Sequence, residues 1–415
     1  MQDVCLREGR LEEVRPICNL QSAIRNIEGD GHLLLPGMID PHVHLRSPGM
    51  EAAEDWDSGT RAAARGGVTA LFDMPNTRPA TTTPARLEEK RALAGVSRVD
   101  WGLYLGATSG NPEAIASAGN IAAVKVYMGS STGDLLVDDE EPLERVFRAA
   151  AAAGVPVALH AEDEGIIRAR MAALRGDEDA TIHGWVRPPE AAAAAVRRAL
   201  ALGERTGAAL YFCHVSTEAE LALLREAKRA GRAVVVEATP HHLFLDEEDV
   251  RRLGNYGKVN PPLRSQRDCA ALWEAIRDGT VDVIGTDHAP HAREAKERPY
   301  PEAPSGMPGL ETALPLLLTA VLEGRLGFER MVDLTSGSAA RCFGVESAGW
   351  VLADLSTEHS LEPGEIQSRC GWSPFVGRRL RGWPVKVWVR GALVFDGGRF
   401  GKAGTGREVC FRREG

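Results

Sequence analysis

Gly37-Met38-Ile39-Asp40-Pro41-His42-Val43-His44-Leu45-Arg46 follows Leu33-Leu34-Leu35, so it reads as the end of a buried strand. Along a strand, residues i and i+2 face the same side, and His42 and His44 therefore project together. Paired imidazoles at a strand end are a metal-binding geometry. If the extended backbone continues, Arg46 falls on that side too. One such pair is also compatible with an ordinary surface, so its weight depends on the other strands.

Seven further apolar runs follow the first, which spans 33–40: 68–73, 100–105, 122–127, 155–160, 209–214, 233–237 and 281–287. Between most of them lie Ala-, Glu- and Arg-rich helical stretches, among them 142–153, 189–206 and 218–230. Pro188-Pro189 suits a helix start. Gly154, Gly207 and Gly231 fall where helices end. Eight strand–helix units predict an α/β protein built as a (β/α)8 TIM-like barrel. The ends break the pattern: residues 1–32 are too short and polar for a barrel unit. Beyond about residue 345 come strand-like segments at 384–389 and 392–395, with turn chemistry at Asp396-Gly397-Gly398. The expected division is a barrel over 36–344, with a small β-sandwich built from 1–35 and 345–415. The Pro- and Gly-rich stretch 290–309 follows the eighth strand and reads as an active-site loop.

A barrel of this kind works at the C-terminal ends of its strands. Those ends carry His42 and His44, then His160, His214 and Asp287, and the fourth strand holds Lys125 inside an apolar run. A single histidine at a strand end is more often structural; four with an aspartate favour a metal site. Two ions divide the set, with His42, His44 and Asp287 on one and His160 and His214 on the other. Two close cations need a bridging anion. A plain lysine ammonium cannot serve, whereas a lysine carboxylated by carbon dioxide can. His241, His242 and His288 are expected to be structural or to orient ligands, and His32, His183 and His359 to lie on the surface.

The bulk properties agree with a globular enzyme. The chain has 415 residues, 44% hydrophobic and 26% charged, with a net charge of −9. That charge argues against a broad nucleic-acid surface, and no apolar run is long enough to span a bilayer. Met1-Gln2-Asp3-Val4-Cys5 is not a signal peptide. Seven cysteines without Cys-x-x-Cys spacing fit a reducing cytoplasm, with Cys213 a buried, inert thiol.

The motifs around residues 37–46, Asp73-Met74-Pro75-Asn76-Thr77, Lys258-Val259-Asn260-Pro261-Pro262-Leu263-Arg264 and Gly285-Thr286-Asp287-His288-Ala289-Pro290-His291 resemble those of the dihydroorotases, cyclic amidohydrolases of the amidohydrolase superfamily. His-x-His alone marks the superfamily; the four motifs in this order are far more specific. The resemblance implies two zinc ions and reversible cyclisation of N-carbamoyl-L-aspartate to L-dihydroorotate in pyrimidine synthesis. It implies that His42, His44, His160, His214 and Asp287 are metal ligands and Lys125 the carboxylated bridge. It further implies that Arg46, Asn76 and His291 hold the substrate carboxylate, with Asn260 a further contact. Some members use an aspartate near the fourth strand; Lys125 resembles the lysine version, and Val126-Tyr127-Met128-Gly129 resembles the hydantoinase branch.

On this reading a metal-activated hydroxide attacks the ring carbonyl, and Asp287 carries the proton to the departing nitrogen. The resemblance also implies a homodimer or higher homo-oligomer and an association with aspartate carbamoyltransferase. The nearest rivals are a dihydropyrimidinase or hydantoinase and an allantoinase, which do not need Arg46 and His291 for an acidic substrate. A non-catalytic homologue serving as a structural partner of aspartate carbamoyltransferase would have lost ligands, and this chain keeps them all.

Overall fold

The computed structural model describes residues 2–7, 10–16, 32–175, 179–300, 302–346 and 349–413. In chain order the strands before the barrel are β1 (Gln2–Arg7), β2 (Arg10–Pro16) and β3 (His32–Pro36). The barrel strands are β4 (Met38–Val43), β5 (Val68–Asp73), β6 (Asp100–Leu103), β7 (Leu105–Gly106), β8 (Val124–Tyr127), β9 (Val157–His160), β10 (Leu210–Phe212), β11 (Val234–Ala238) and β12 (Val283–Ile284). Parallel pairing runs β4-β5-β6 and then β7 through β12. Tyr104 alone separates β6 from β7, so the two are one barrel strand. A parallel bridge between Val43 and His288 closes the ring from the eighth strand to the first.

The first apolar run corrects the expectation of one strand over 33–40, because it divides at Gly37. Its first half, β3, pairs antiparallel with β13 (Gly349–Asp354). Its second half enters the barrel. A side chain at 37 would drive into Thr69, whose Oγ1 lies 2.1 Å from an ideal Cβ, so only glycine lets the chain cross between the two sheets.

After β13 come β14 (His359–Ser360), β15 (Arg379–Leu380), β16 (Trp383–Val389), β17 (Ala392–Asp396) and β18 (Arg399–Phe400). One antiparallel sheet of order β18-β17-β16-β13-β3 joins the early segment to the late one. β1 and β2 form a separate antiparallel pair. Residues 17–31 of the expected terminal segment lie outside those described.

The helix Pro189–Thr206 has the predicted bounds, with Pro189 in its first turn and Gly207 at φ +74 as its left-handed stop. Helix Glu218–Arg229 opens with a reciprocal Thr217–Glu220 capping box. Inside the barrel, Ile39, Phe72, Tyr104, Ala158, Tyr211 and Val283 form an apolar plug with Phe343 and Phe411. Phe72 meets Phe343 and Phe411 edge-on, each at 5.1 Å. Among the described residues, no helix is long and apolar enough to cross a membrane.

Candidate active site

The strand ends converge on a small, polar-lined cavity. Its wall includes His42, His44, Arg46, Asn76, Lys125, His160, His214, Asn260 and Asp287. Nine of the ten residues singled out from the sequence thus line one opening. The tenth, His291, stands behind Arg46, with Nε2 3.1 Å from Arg46 Nη2 and 2.9 Å from the Ser305 carbonyl oxygen.

His42 Nε2 and His44 Nε2 approach Asp287 Oδ1 at 3.3 and 3.0 Å. The ligand atoms of His42, His214 and Asp287 all lie within 4.8 Å of one another. His160 Nδ1 faces His214 Nε2 at 3.0 Å. These imidazole and carboxylate groups form a donor set suited to a divalent transition metal.

Three of the candidate ligands face a polar partner from behind. His42 Nδ1 meets Glu237 Oε1 at 2.8 Å, leaving Nε2 toward the cavity. His44 Nδ1 donates to Asn76 Oδ1 at 2.7 Å. His160 Nε2 lies 3.1 Å from Glu162, which in turn pairs with Arg187. Such partners fix the ring and its tautomer and raise ligand basicity. Burial lowers both His42 and His44, but at His42 the Glu237 and Asp287 charges outweigh it and raise the imidazole to about 10. At His44 burial prevails and lowers it to about 3.

Lys125 is fully buried, and its ammonium donates to Cys213 Sγ at 3.0 Å. Among the described residues it forms no ion pair. A lysine enclosed without an acid is chemically suited to become a carbamate, which replaces a buried cation by an anion among potential cations.

Arg46 departs from the extended geometry expected of it: its φ is +60. It nevertheless reaches the cavity. Nε donates to the Pro290 carbonyl at 3.1 Å, while the buried Nη1 has no hydrogen-bond partner among the described residues. Asn76 Oδ1 accepts from His44, and Nδ2, which has two hydrogens to give, donates one to the Thr132 carbonyl at 2.8 Å.

His183 corrects the sequence reading, which put it on the surface. It is buried, with Nε2 2.8 Å from Asn260 Oδ1, and burial lowers it to about 3. His242 holds the carbonyls of Pro261 and Pro262 rather than a ligand histidine. His288 meets Glu54 at 3.3 Å.

The sequence reading passed over Glu237, Glu162 and Tyr127. Tyr127 lines the cavity with a buried hydroxyl that has no hydrogen-bond partner among the described residues. Glu237 offered a signal, since an acid closing an apolar run is as anomalous as the lysine in the fourth strand.

This chain belongs to the amidohydrolase family, whose model matches residues 33–394. It is 40% identical over 416 residues to the dihydroorotase of Halobacterium salinarum, covering 96% of each chain. It is 37% identical to the dihydroorotase of Methanosarcina mazei, over 90% of this chain and 86% of the relative. Among solved structures, the L-hydantoinase (dihydropyrimidinase) of Arthrobacter aurescens superposes with a TM-score of 0.92 at 31% identity, covering 99% of this chain and 96% of the other. The dihydropyrimidinase of Brevibacillus agri gives 0.90 at 28% identity, covering 100% and 96%.

Proposed function

We propose that this chain is a dihydroorotase, a cyclic amide hydrolase that interconverts L-dihydroorotate and N-carbamoyl-L-aspartate in pyrimidine synthesis. The observation that carries the reading is Arg46 Nη1, unpartnered among the described residues, in the wall of a cavity that also holds His42, His44, His160, His214 and Asp287. A guanidinium with an open donor is suited to a carboxylate on the substrate. The full-length likeness to dihydroorotases supports the same substrate.

In this reading His42, His44 and Asp287 would hold one zinc ion and His160 and His214 a second, with Lys125, once carboxylated, supplying the anionic ligand the pair needs. Bound there, zinc lowers the pKa of water and polarises a carbonyl. Asp287 accepts a proton and returns it to the departing amide nitrogen. Arg46 binds the ring carboxylate, helped by His291 behind it and by Asn76. Asn260, oriented by His183, contacts the ring. Asn76 also keeps His44 turned toward the metal.

The reading extends to organisation: a barrel over 36–344, a small β domain from 1–35 and 345–415, a homodimer or larger homo-oligomer, and a cytoplasmic setting in which aspartate carbamoyltransferase is a partner.

A hydantoinase is the second reading, favoured by the 0.92 superposition on the Arthrobacter enzyme. It leaves Arg46 and His291 without an anionic group to meet. Turnover of dihydroorotate, hydantoin, dihydrouracil and allantoin by zinc-loaded protein, with metal stoichiometry on the same sample, decides between them. Dihydroorotate is expected to dominate, with about two zinc ions per chain. Activity on hydantoin with none on dihydroorotate would overturn the proposal.

A further inference from the structure

We propose that Lys296 sets the charge preference of this site, its buried ammonium making the cavity wall beside Arg46 select an anionic cyclic amide over a neutral one. The proposal deepens the dihydroorotase reading and rests on it.

Lys296 ends the short helix Arg293–Lys296, in the loop after the eighth strand, and its side chain is about 1% exposed. Nζ donates to three backbone carbonyls: Lys258 at 3.1 Å, Pro304 at 2.9 Å and Gly306 at 3.0 Å. Among the described residues it forms no ion pair. Burial, reinforced by the charges of Lys258 and Arg46, pushes it well below the ordinary lysine value. The geometry nevertheless requires the ammonium. A neutral amine has only two N–H donors and a lone pair, so one of three converging carbonyl oxygens would face that lone pair; the ammonium satisfies all three.

The turn that Lys296 grips is part of the cavity. Ser305 and Gly306 line it beside Arg46. The Ser305 carbonyl meets His291, which meets Arg46. Arg46 is buried too, is solvated by the Pro290 carbonyl, and forms no ion pair among the described residues. Two buried cations therefore flank one turn, both solvated by neutral carbonyls. A buried charge is normally matched by an acid. The nearest acids to act on Arg46, Asp287 and Asp73, are engaged by His42 and His44 and by Lys90, so the remaining countercharge is left for the occupant of the cavity. Arg46 can touch a ligand carboxylate, whereas Lys296 acts from behind the turn, by position and by field.

The test compares zinc-loaded wild type, Lys296→Gln and Lys296→Arg on L-dihydroorotate and on its neutral methyl ester. Gln keeps a donor and removes the charge. It should lower kcat/KM for the acid on the order of tenfold, mainly through KM, the scale of a unit charge acting across several ångströms of protein. The ester should change by less than about twofold on the same argument. Arg should keep the acid-to-ester ratio whatever its absolute rate. Equal losses on both substrates with Gln, or an unchanged ratio, would show a merely structural lysine and overturn the proposal. If the Gln variant does not fold, the Arg variant decides: a retained ratio supports the proposal and a collapsed one overturns it. Wild type inactive on dihydroorotate refutes the dihydroorotase reading and this inference with it, whereas a failure confined to the variants refutes Lys296 alone.

Discussion

Replacing Lys90 by Met should destabilise the protein at a point that also carries Arg46. Lys90 Nζ lies 2.5 Å from Asp73 Oδ2, and the two side chains are 1% and 0% exposed. Burial pushes the Asp73 carboxyl up and the Lys90 ammonium down, each opposed by its partner's charge. Asp73 Oδ1 also accepts the Leu45 N–H at 2.7 Å, between His44 and Arg46. Removing one partner of such a pair costs about 3–5 kcal/mol, because the other charge stays buried and unmatched. If the chain unfolds as one unit, its length converts that to a melting temperature lower by roughly 3–6 °C. Adding Asp73→Asn should recover at least about half of the loss, since Asn keeps the acceptor for Leu45 and removes the charge. The pH dependence carries a definite sign. Without Lys90, the native Asp73 pKa rises further above the unfolded value of about 3.9. The native state then keeps a proton that the unfolded state has released. Stability therefore falls as pH rises through that window, and the deficit of Lys90→Met shrinks toward pH 4. Thermal unfolding of the single and double variants across pH measures this, and KM for dihydroorotate should rise as the Leu45 anchor loosens. A single variant as stable as wild type, or a double variant no better than the single, would refute the anchoring argument.

Asp287→Asn should fold normally and lose several orders of magnitude in turnover, read as kcat beside an unchanged circular dichroism spectrum; near-normal kcat removes its proposed proton role. Arg46→Met should raise KM for dihydroorotate strongly at unchanged zinc content, so zinc loss would instead make Arg46 structural. Glu237→Gln should weaken metal affinity by about 10- to 100-fold in a chelator titration, because His42 loses the carboxylate that orients it. Lys125→Met should reduce bound zinc, and mass spectrometry of intact, gently desalted wild type should reveal the carbamate; full metal content in the variant would dismiss the bridge.

The barrel was legible because its strands are short apolar runs punctuated by helix-ending glycines, and the helix Pro189–Thr206 even carries its own start and stop. The break at Gly37 was missed although Pro36-Gly37 interrupts the apolar run from Leu33 to Asp40; what the sequence did not show is the nearness of Thr69, which demands glycine where the chain changes sheets. The candidate ligands could be read one by one, because imidazoles at strand ends are conspicuous. Which ligand each support meets could not be read, even for Glu237, which stands out in its run: it is 195 residues from His42, and Asn76 is 32 from His44. His183 was misplaced for a related reason: it closes none of the apolar strand runs, and nothing near it in sequence signals that Asn260 and Tyr300 enclose it.

The backbone shows how the fold sustains this site. Four described residues other than glycine have positive φ, and three of them are Arg46, His214 and Asp287. Each such conformation costs on the order of 1–3 kcal/mol and persists only where its surroundings over-determine it. Here the surroundings are buried acids that capture backbone N–H groups at or beside each turn. Asp73 takes Leu45 N at 2.7 Å, Glu237 takes His214 N at 2.7 Å, and Asp40 takes Thr286 N at 3.0 Å. Glu237 therefore has two tasks, holding the strained turn at His214 and the imidazole of His42. Asp40, which burial raises to about 7, ties the first strand to the eighth. These acids are inside the barrel because the backbone must bend sharply where the strands end, and that bend turns the side chains of Arg46, His214 and Asp287 into one cavity. A carboxylate that steers a ligand and one that secures a turn are thus the same kind of group, placed one layer below the chemistry.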